Sequence, residues 1–266
     1  MRRILSQLNW CCLIGTLLLM QALPATAEWY VGGYGGYSLP QSLKNVTMNN
    51  YGYQSAVDRY SFTQTDRLLG SQLTQDFKTS DLKLDSSPIF GGKAGYFFND
   101  QGFSWLGVET EIFTTEPSIK QQRVDTTQNI VFTTPFQPGA ICAPPPSKAC
   151  SSQESLNGTR DITKSSLRVI TFALNAVARY PGKTFQPYAS VGVGAFYFIG
   201  SGMFEGRQIV PGLNAAVGSK WLITRDWGLF FEGKYNLAGL NSLDGANGLT
   251  GTYSIFHLVG GVAYHF

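Results

Sequence analysis

Apolar and polar side chains alternate with a period of two in the last fourteen residues of the chain, YSIFHLVGGVAYHF (253–266). One face of this segment carries Phe256, Leu258, Val262, Tyr264 and Phe266, whereas both histidines fall on the other face. Successive side chains of a strand point to opposite faces, so the pattern predicts a β-strand. The same alternation occurs in seven earlier segments, 29–39, 88–98, 103–115, 166–180, 185–199, 208–223 and 229–238.

The connections between these eight predicted strands differ greatly in length. Long polar stretches at 40–87 and 116–165 and moderate loops at 200–207 and 239–252 alternate with tight turns near 99–102, 181–184 and 224–228. The three short turns therefore share one end and the four longer loops share the other. The pattern predicts an all-β fold, an eight-stranded antiparallel up-and-down transmembrane β-barrel with short periplasmic turns and long extracellular loops. We expect the last strand to pair with the first, because lipid tolerates no unpaired strand edge.

The composition supports a β-barrel and argues against two other classes of protein. Aromatic residues make up 14% and glycine 30 of 266 residues, whereas charged residues make up only 14%, against roughly 25% in soluble domains. A mean hydropathy of −0.05 excludes a helical membrane bundle. The net charge is +3, and Arg2 and Arg3 of the leader account for two of these charges (3 − 2 = 1). The remaining net charge of +1 is too small for electrostatic binding to nucleic acid.

Residues 1–27 are predicted to be a cleaved secretory signal peptide, which leaves 28–266 as the barrel domain. Arg2 and Arg3 provide a basic start, and the apolar run at 10–20 is too short to span a bilayer stably. Ala25 and Ala27 are the small residues that signal peptidase accepts before its cleavage site. A retained N-terminal anchor helix is the alternative.

Cys142 and Cys150 flank a proline-rich segment, CAPPPSKAC, within the second long loop. An even pair of cysteines in an exported protein predicts a disulfide, here one that stiffens a loop tip. A metal site needs more ligands than this pair, and no histidine lies nearby in the sequence, so we expect no metal and no cofactor.

The alternation also separates a lipid-facing series from an inward-facing series on each strand. The inward series contains seven charged residues, namely Lys93, Glu109, Glu111, Arg179, Lys220, Glu232 and Lys234. Inside a barrel too narrow for a channel, we predict that these residues pair into a hydrogen-bonded lumen charge network. Aromatic residues at the strand ends are typical of the girdles at membrane interfaces.

Five segments resemble the eight-stranded outer-membrane β-barrel family of Gram-negative bacteria, the group of OmpA transmembrane domains, OmpX and opacity-type proteins. They are FGGKAGYFF (90–98), LGVETEIF (106–113), PYASVGVGA (187–195), FFEGKY (230–235) and GGVAYHF (260–266). The resemblance implies export to the cell outer membrane, contact with lipid and lipopolysaccharide, and a monomer. It also implies that Tyr264 and Phe266 belong to a C-terminal signal read by the barrel-assembly machinery. Because this scaffold hosts many functions, the resemblance leaves the activity open.

No catalytic site is evident in the sequence. His257 falls on the inward face and Ser254 on the lipid-facing side, so they do not form a nucleophile and base, and Glu109 and Glu111 would be buried in the lumen. We therefore expect a non-enzymatic barrel whose loops bind or adhere, or which supports the envelope. A narrow porin-like channel for small solutes is the alternative, and a lipid A-modifying enzyme is a third hypothesis.

Overall fold

The computed structural model describes residues 28–135, 139–243, 245 and 247–266, and the predicted signal peptide lies outside these residues. Most of the described chain is in β-strands, with two short helices. The strands are β1 Glu28–Ser38, β2 Ser42–Met48, β3 Gln72–Thr79, β4 Leu82–Lys83, β5 Pro88–Phe98, β6 Phe103–Thr115, β7 Ser118–Ile119, β8 Gln122–Thr133, β9 Ser152–Ile162, β10 Ser165–Arg179, β11 Phe185–Gly200, β12 Gly206–Leu222, β13 Trp227–Leu240 and β14 Leu249–His265. The helices are α1 Asn49–Tyr60 and α2 Gln64–Leu68, and short 3-10 turns cover Asn99–Gln101 and Gly202–Phe204.

Eight of these strands close into an antiparallel barrel in the order β1-β5-β6-β10-β11-β12-β13-β14. The last strand pairs with the first over nine consecutive positions, from Tyr30 opposite His265 to Ser38 opposite His257. The predicted fold class, strand number and closing pair are confirmed. The predicted strand bounds differ from the observed ones by up to four residues, and the largest difference is at β14, which begins at Leu249.

The two ends of the barrel are built differently. Short turns at 99–102, 180–184 and 223–226 form what we call the turn end, where the backbone N–H of Phe266 donates to the carbonyl of Trp29 at 2.9 Å. Connections at 39–87, 116–164, 201–205 and 241–248 form the loop end. Because β14 continues toward the loop end, its edge is free there to pair with β2, with Leu249 opposite Met48.

The two long connections are folded, although the sequence pattern identified them only as polar loops. We call the segments 39–87 and 116–164 together the outer unit. In it, β2, β3, β8 and β9 extend the barrel sheet beyond β14. The α1 helix packs on this extension, where Gln128 donates to the carbonyl of Gly52 at 2.7 Å. A separate small core, made by Ala56, Tyr60, Phe62, Leu73, Ile130 and Phe132, lies between the helix and the strands. Its apolar positions come from both loops, so neither loop shows a strong pattern alone.

The loop-end half of the lumen is filled by a cluster that we call the apolar plug. It includes Phe196, Phe198, Tyr253 and Ile255 from the barrel strands and Phe204 from the connection 201–205, each no more than 1% exposed. Residues of the outer unit join the same cluster, among them Leu43, Val46, Leu82, Leu84 and Ile119. The barrel and the outer unit therefore share one hydrophobic core at the loop end.

The outside of the barrel carries a broad apolar belt. On β10 the outward side chains from Ile170 to Tyr180 are uncharged, and Arg168 is the next outward residue toward the loop end. Ten residues at about 3.4 Å each, tilted by about 40°, cover roughly 26 Å along the barrel axis, which matches the ~25 Å apolar band of outer-membrane barrels. Aromatic rings cluster at the turn end, where Tyr264 lies 5.0 Å from both Trp227 and Phe266. Within the described ranges, no helix is long and apolar enough to cross a membrane.

Candidate functional site

Five of the seven inward charges predicted from the sequence lie together in the middle of the lumen, and we call them the central cluster. It consists of Lys93 on β5, Glu109 and Glu111 on β6, and Glu232 and Lys234 on β13. Lys93 bonds Glu232 and lies 3.5 Å from Glu109. Lys234 bonds Glu111 and lies 3.8 Å from Glu232. The two lysines thus connect all three carboxylates across the lumen.

Each carboxylate of the central cluster also accepts a hydrogen bond from an inward-facing tyrosine. The hydroxyl of Tyr30 donates to Glu109 at 2.6 Å, that of Tyr34 to Glu111 at 2.5 Å, and that of Tyr188 to Glu232 at 2.5 Å. Hydrogen bonds to charged acceptors are stronger than neutral ones and help offset the cost of removing the carboxylates from water. Charge patterning alone misses these tyrosines, although they fall on the inward face of their strands.

Glycines on β5 make room for two of these rings. A Cβ atom at Gly91 would lie 2.5 Å from the ring of Tyr34, and one at Gly95 would lie 2.5 Å from the ring of Tyr30. Because such contacts are far too short, only glycine fits at these two positions. The inward glycines of the GGKAG segment, Gly91 and Gly95, therefore leave the space that the rings of Tyr34 and Tyr30 on the neighbouring strand β1 occupy.

Three buried asparagines continue the network across the strands β10, β12 and β13. Asn175 donates to Glu109 at 3.2 Å, and Asn214 donates to Glu111 at 3.0 Å. Asn236 in turn donates to the side-chain oxygen of Asn214 at 2.8 Å. The asparagines add uncharged hydrogen bonds where the central cluster ends.

The other two predicted charges, Arg179 and Lys220, belong to a second group at the turn end. Arg179 forms a two-pronged ion pair with Glu28. A ring nitrogen of His265 lies 2.8 Å from Glu28, and its other ring nitrogen lies 3.1 Å from the ammonium of Lys220. We call these four residues the turn-end cluster.

Sequence reasoning missed Glu28 and His265 as members of this arrangement. Glu28 directly follows the predicted leader, and His265 lies on the inward series of the last strand. Their positions at the ends of the first and last strands were the only sequence feature that could have indicated their proximity. Tyr30 connects the two clusters, because its ring lies 4.3 Å below the Lys220 ammonium while its hydroxyl bonds Glu109. The lumen charges described here comprise four carboxylates and four cations, which balance when the histidines are neutral.

The histidine in the middle of the last strand has no catalytic geometry. His257 is fully buried, and neither ring nitrogen has a hydrogen-bond partner among the described residues. The hydroxyl of Ser254 lies on the opposite face, 2.8 Å from that of Tyr235. The residues therefore do not form the nucleophile and base of an acyl-transfer enzyme.

The lumen offers little space for a solute. A cavity of about 10 Å³ beside Tyr30, Lys93 and Lys220 is among the spaces found there, and it is about the size needed for one water molecule. The described residues contain no group of His, Cys, Asp and Glu side chains placed to hold a metal ion.

One ion pair and one disulfide stabilise the middle portions of the two long loops in the outer unit. Cys142 and Cys150 form the predicted disulfide. Lys148 donates to Asp66 at 2.8 Å and to the carbonyl of Ser61 at 2.6 Å, so the second loop is attached to the first. The hydrogen bond from Lys148 and those from Thr63 lower the pKa of Asp66 to about 2.

No protein-family model and no curated protein sequence matches this chain. Several solved structures are similar in fold. Neisserial surface protein A is 11% identical over 90% of this chain and 99% of that protein, with a TM-score of 0.44. The attachment invasion locus protein Ail of Yersinia pestis is 10% identical over 91% and 99%, with a TM-score of 0.40. The outer membrane protein OprG of Pseudomonas aeruginosa is 15% identical over 92% and 98%, with a TM-score of 0.40. Because these values are low, the function has to be argued from this chain's own residues.

Proposed function

We propose that this protein is a monomeric, non-enzymatic barrel of the Gram-negative outer membrane that displays its outer unit for binding at the cell surface. Two features together carry the proposal. The lumen is filled by side chains, and the outer unit is folded and shares the apolar plug with the barrel. A channel would need an open lumen, whereas a display scaffold needs a rigid base for its loops.

The membrane location is supported by the apolar belt and the aromatic residues at the turn end. In this orientation the turn end faces the periplasm and the loop end faces outward. Boiling should slow migration of the detergent-solubilised protein in gels, because the closed barrel is compact until it unfolds. A protein that is soluble without detergent and insensitive to boiling contradicts the membrane proposal.

The filled lumen leads us to expect no conductance in planar bilayers. The apolar plug blocks the loop-end half, and the central cluster with its tyrosines and asparagines blocks the middle. A stable open state above background would favour the porin-like alternative. In that case Lys234→Met should change the conductance, because Lys234 lies in the middle of the lumen.

Binding by the outer unit is supported by its built structure and by exposed apolar side chains on it. Leu68, Leu69 and Ile141 are 79%, 65% and 88% exposed. Contiguous apolar patches on a folded surface are typical of interaction sites, and Leu68 and Leu69 are adjacent in the chain. Cells that produce the protein should adhere to host or abiotic surfaces, and a variant with short turns in place of 40–86 and 117–163 should not. Gel mobility of that variant reports whether its barrel still forms, and equal adherence of both proteins contradicts the binding role.

Two further parts of the proposal concern assembly and chemistry. We propose that the assembly machinery reads the outward-facing aromatic residues Tyr264 and Phe266, so Phe266→Ser should lower the amount of inserted protein.

We also propose that the protein has no enzymatic activity, so overproduction should leave the mass spectrum of lipid A unchanged. A new lipid A species would support the enzyme hypothesis instead.

A further inference from the structure

The lipid-facing surface is interrupted by a groove between strands β5, β6 and β10. It encloses about 750 Å³, which falls within the ~300–1,000 Å³ range of small-molecule sites. Its lining is mostly apolar and includes Phe90, Gly92, Ile112, Thr114 and Ile170. The groove lies on the barrel wall, and no residue of the central cluster lines it.

The sequence explains why the wall is recessed here. Gly92 opposes Ile112 across the β5–β6 pair, and it offers no side chain to fill the floor. Phe90 stands beside the floor and is 61% exposed. A Cβ atom at Gly92 would lie 3.5 Å from the carbonyl oxygen of Gly32, which is an ordinary contact. The recess is thus compatible with a larger side chain, and steric crowding does not require glycine at this position.

The loop end of the groove is polar, and the chain segments that adjoin it carry excess positive charge. Arg168 and Glu116 line the groove there and form an ion pair at 2.7 Å. The adjoining segments 83–88, 116–120 and 164–170 hold Lys83, Lys120, Lys164 and Arg168 against Asp85 and Glu116, a net charge of +2 (4 − 2). The segments are held together by the bridge between Leu84 and Ile119 and by β7 paired with β10.

We infer that this groove binds one acyl chain of an outer-leaflet lipopolysaccharide whose phosphates lie on the basic rim around Arg168. The inference rests on the proposed outer-membrane location, which puts the loop end in the outer leaflet. An apolar recess inside the belt suits a hydrocarbon chain, and a cationic rim at the belt's edge suits a phosphorylated headgroup. Arg168 exposes 55% of its side chain and remains accessible while paired with Glu116.

The test is native mass spectrometry of the protein purified from outer membranes in mild detergent, with bound lipid identified by mass. Wild-type protein should retain one lipopolysaccharide per barrel. Gly92→Leu, which fills the floor, and Arg168→Gln, which removes a rim cation, should each lower this retention about tenfold, equivalent to ~1.4 kcal/mol. Ala215→Leu also enlarges an outward-facing side chain, on β12 outside the groove, by three carbons where Gly92→Leu adds four, and should retain the lipid as wild type does.

Four outcomes separate this inference from the proposed location. If boiling does not change the gel migration of the wild-type protein, the proposed outer-membrane location is contradicted. If the barrel inserts but retains no lipid, or retains phospholipid in place of lipopolysaccharide, the groove assignment is wrong. The same holds if Gly92→Leu and Ala215→Leu retain equal amounts. A barrel that inserts, with retention lowered only by the two groove variants, supports the assignment.

Discussion

The two halves of the lumen are filled by different kinds of interaction. The middle and the turn end hold a balanced set of ion pairs, tyrosines and asparagines, and every one of these side chains comes from a barrel strand. The loop end holds the apolar plug, which needs side chains of the outer unit such as Leu43 and Leu82. The polar half is therefore intrinsic to the barrel, whereas the apolar half couples the barrel to its outer unit.

The boundary between the halves lies near His257. It is fully buried, its ring lies 6.3 Å from that of Phe113, and its opposite partner on β13 is Lys234. Polar groups are expensive to bury without a partner, so the stability of the polar half depends on its ion pairs and hydrogen bonds. The apolar half depends on close packing instead. This difference predicts that the halves respond to different substitutions.

The largest effect should come from Lys234→Met in the polar half. The substitution leaves Glu111 without its lysine and brings no new cation near it. Breaking one partner of a buried ion pair costs about 3–5 kcal/mol, and we expect a loss of that size in the free energy of unfolding. The measurement is urea unfolding of protein in lipid vesicles, followed by tryptophan fluorescence.

Two controls show whether the loss comes from the unpaired charge. Lys78→Met removes an exposed lysine paired with Asp76 and should change stability by less than about 1 kcal/mol. The double variant Lys234→Met with Glu111→Gln removes both charges and should recover much of the loss. If Lys234→Met behaves like Lys78→Met, the polar half does not depend on pairing.

The next largest effect should come from Leu43→Ala in the apolar plug. Leu43 lies on β2, is fully buried, and belongs to the cluster that joins the outer unit to the barrel. Truncating a buried leucine costs roughly 2–5 kcal/mol, and we expect about 3 kcal/mol here. Protease should then cleave the outer unit faster, while the barrel keeps its boiling-sensitive migration.

Leu39→Ala provides the matched control, because Leu39 lies in the same connection and is 39% exposed. It should leave the rate of cleavage nearly unchanged. If Leu43→Ala instead unfolds the barrel and the outer unit together, the two parts form one cooperative unit and the contrast between the halves fails.

The sequence predicted the barrel well because each of its strands alternates regularly between an apolar outward face and a more polar inward face. Period-two alternation identified all eight strands, and the inward position of residues such as Lys93 and Glu232 followed from it. The partners were harder to predict, because hydrogen bonds across the lumen join strands distant in sequence, as between Tyr34 and Glu111. The outer unit was harder still. Its core residues Tyr60 and Phe132 come from two separate loops, so neither loop alone carries a continuous alternating pattern.

A smaller, local effect should follow removal of the disulfide by the double substitution Cys142→Ser and Cys150→Ser. The bond closes a loop of nine residues, and chain-entropy estimates for a loop of that size give roughly 2–3 kcal/mol. Hydrogen exchange should increase around 139–151 and stay unchanged in the barrel strands. Faster exchange in β13 or β14 would show that the loop tip is coupled to the barrel, contrary to the separation argued above.

The smallest effect should be a pH dependence confined to the ion pair between Lys148 and Asp66, which joins the two long loops and which we call the pin. Hydrogen bonds from Lys148 and Thr63 hold the pKa of Asp66 at about 2 in the folded protein, below its ordinary value of 3.8. A lowered carboxyl pKa stabilises the fold at pH above the ordinary value, and this contribution is lost as the pH falls toward 2. Protease protection of 61–71 should therefore decrease between about pH 4 and pH 2. Asp66→Asn should be less protected at neutral pH and lose this pH dependence. An unchanged profile in Asp66→Asn would show that another group controls the pin.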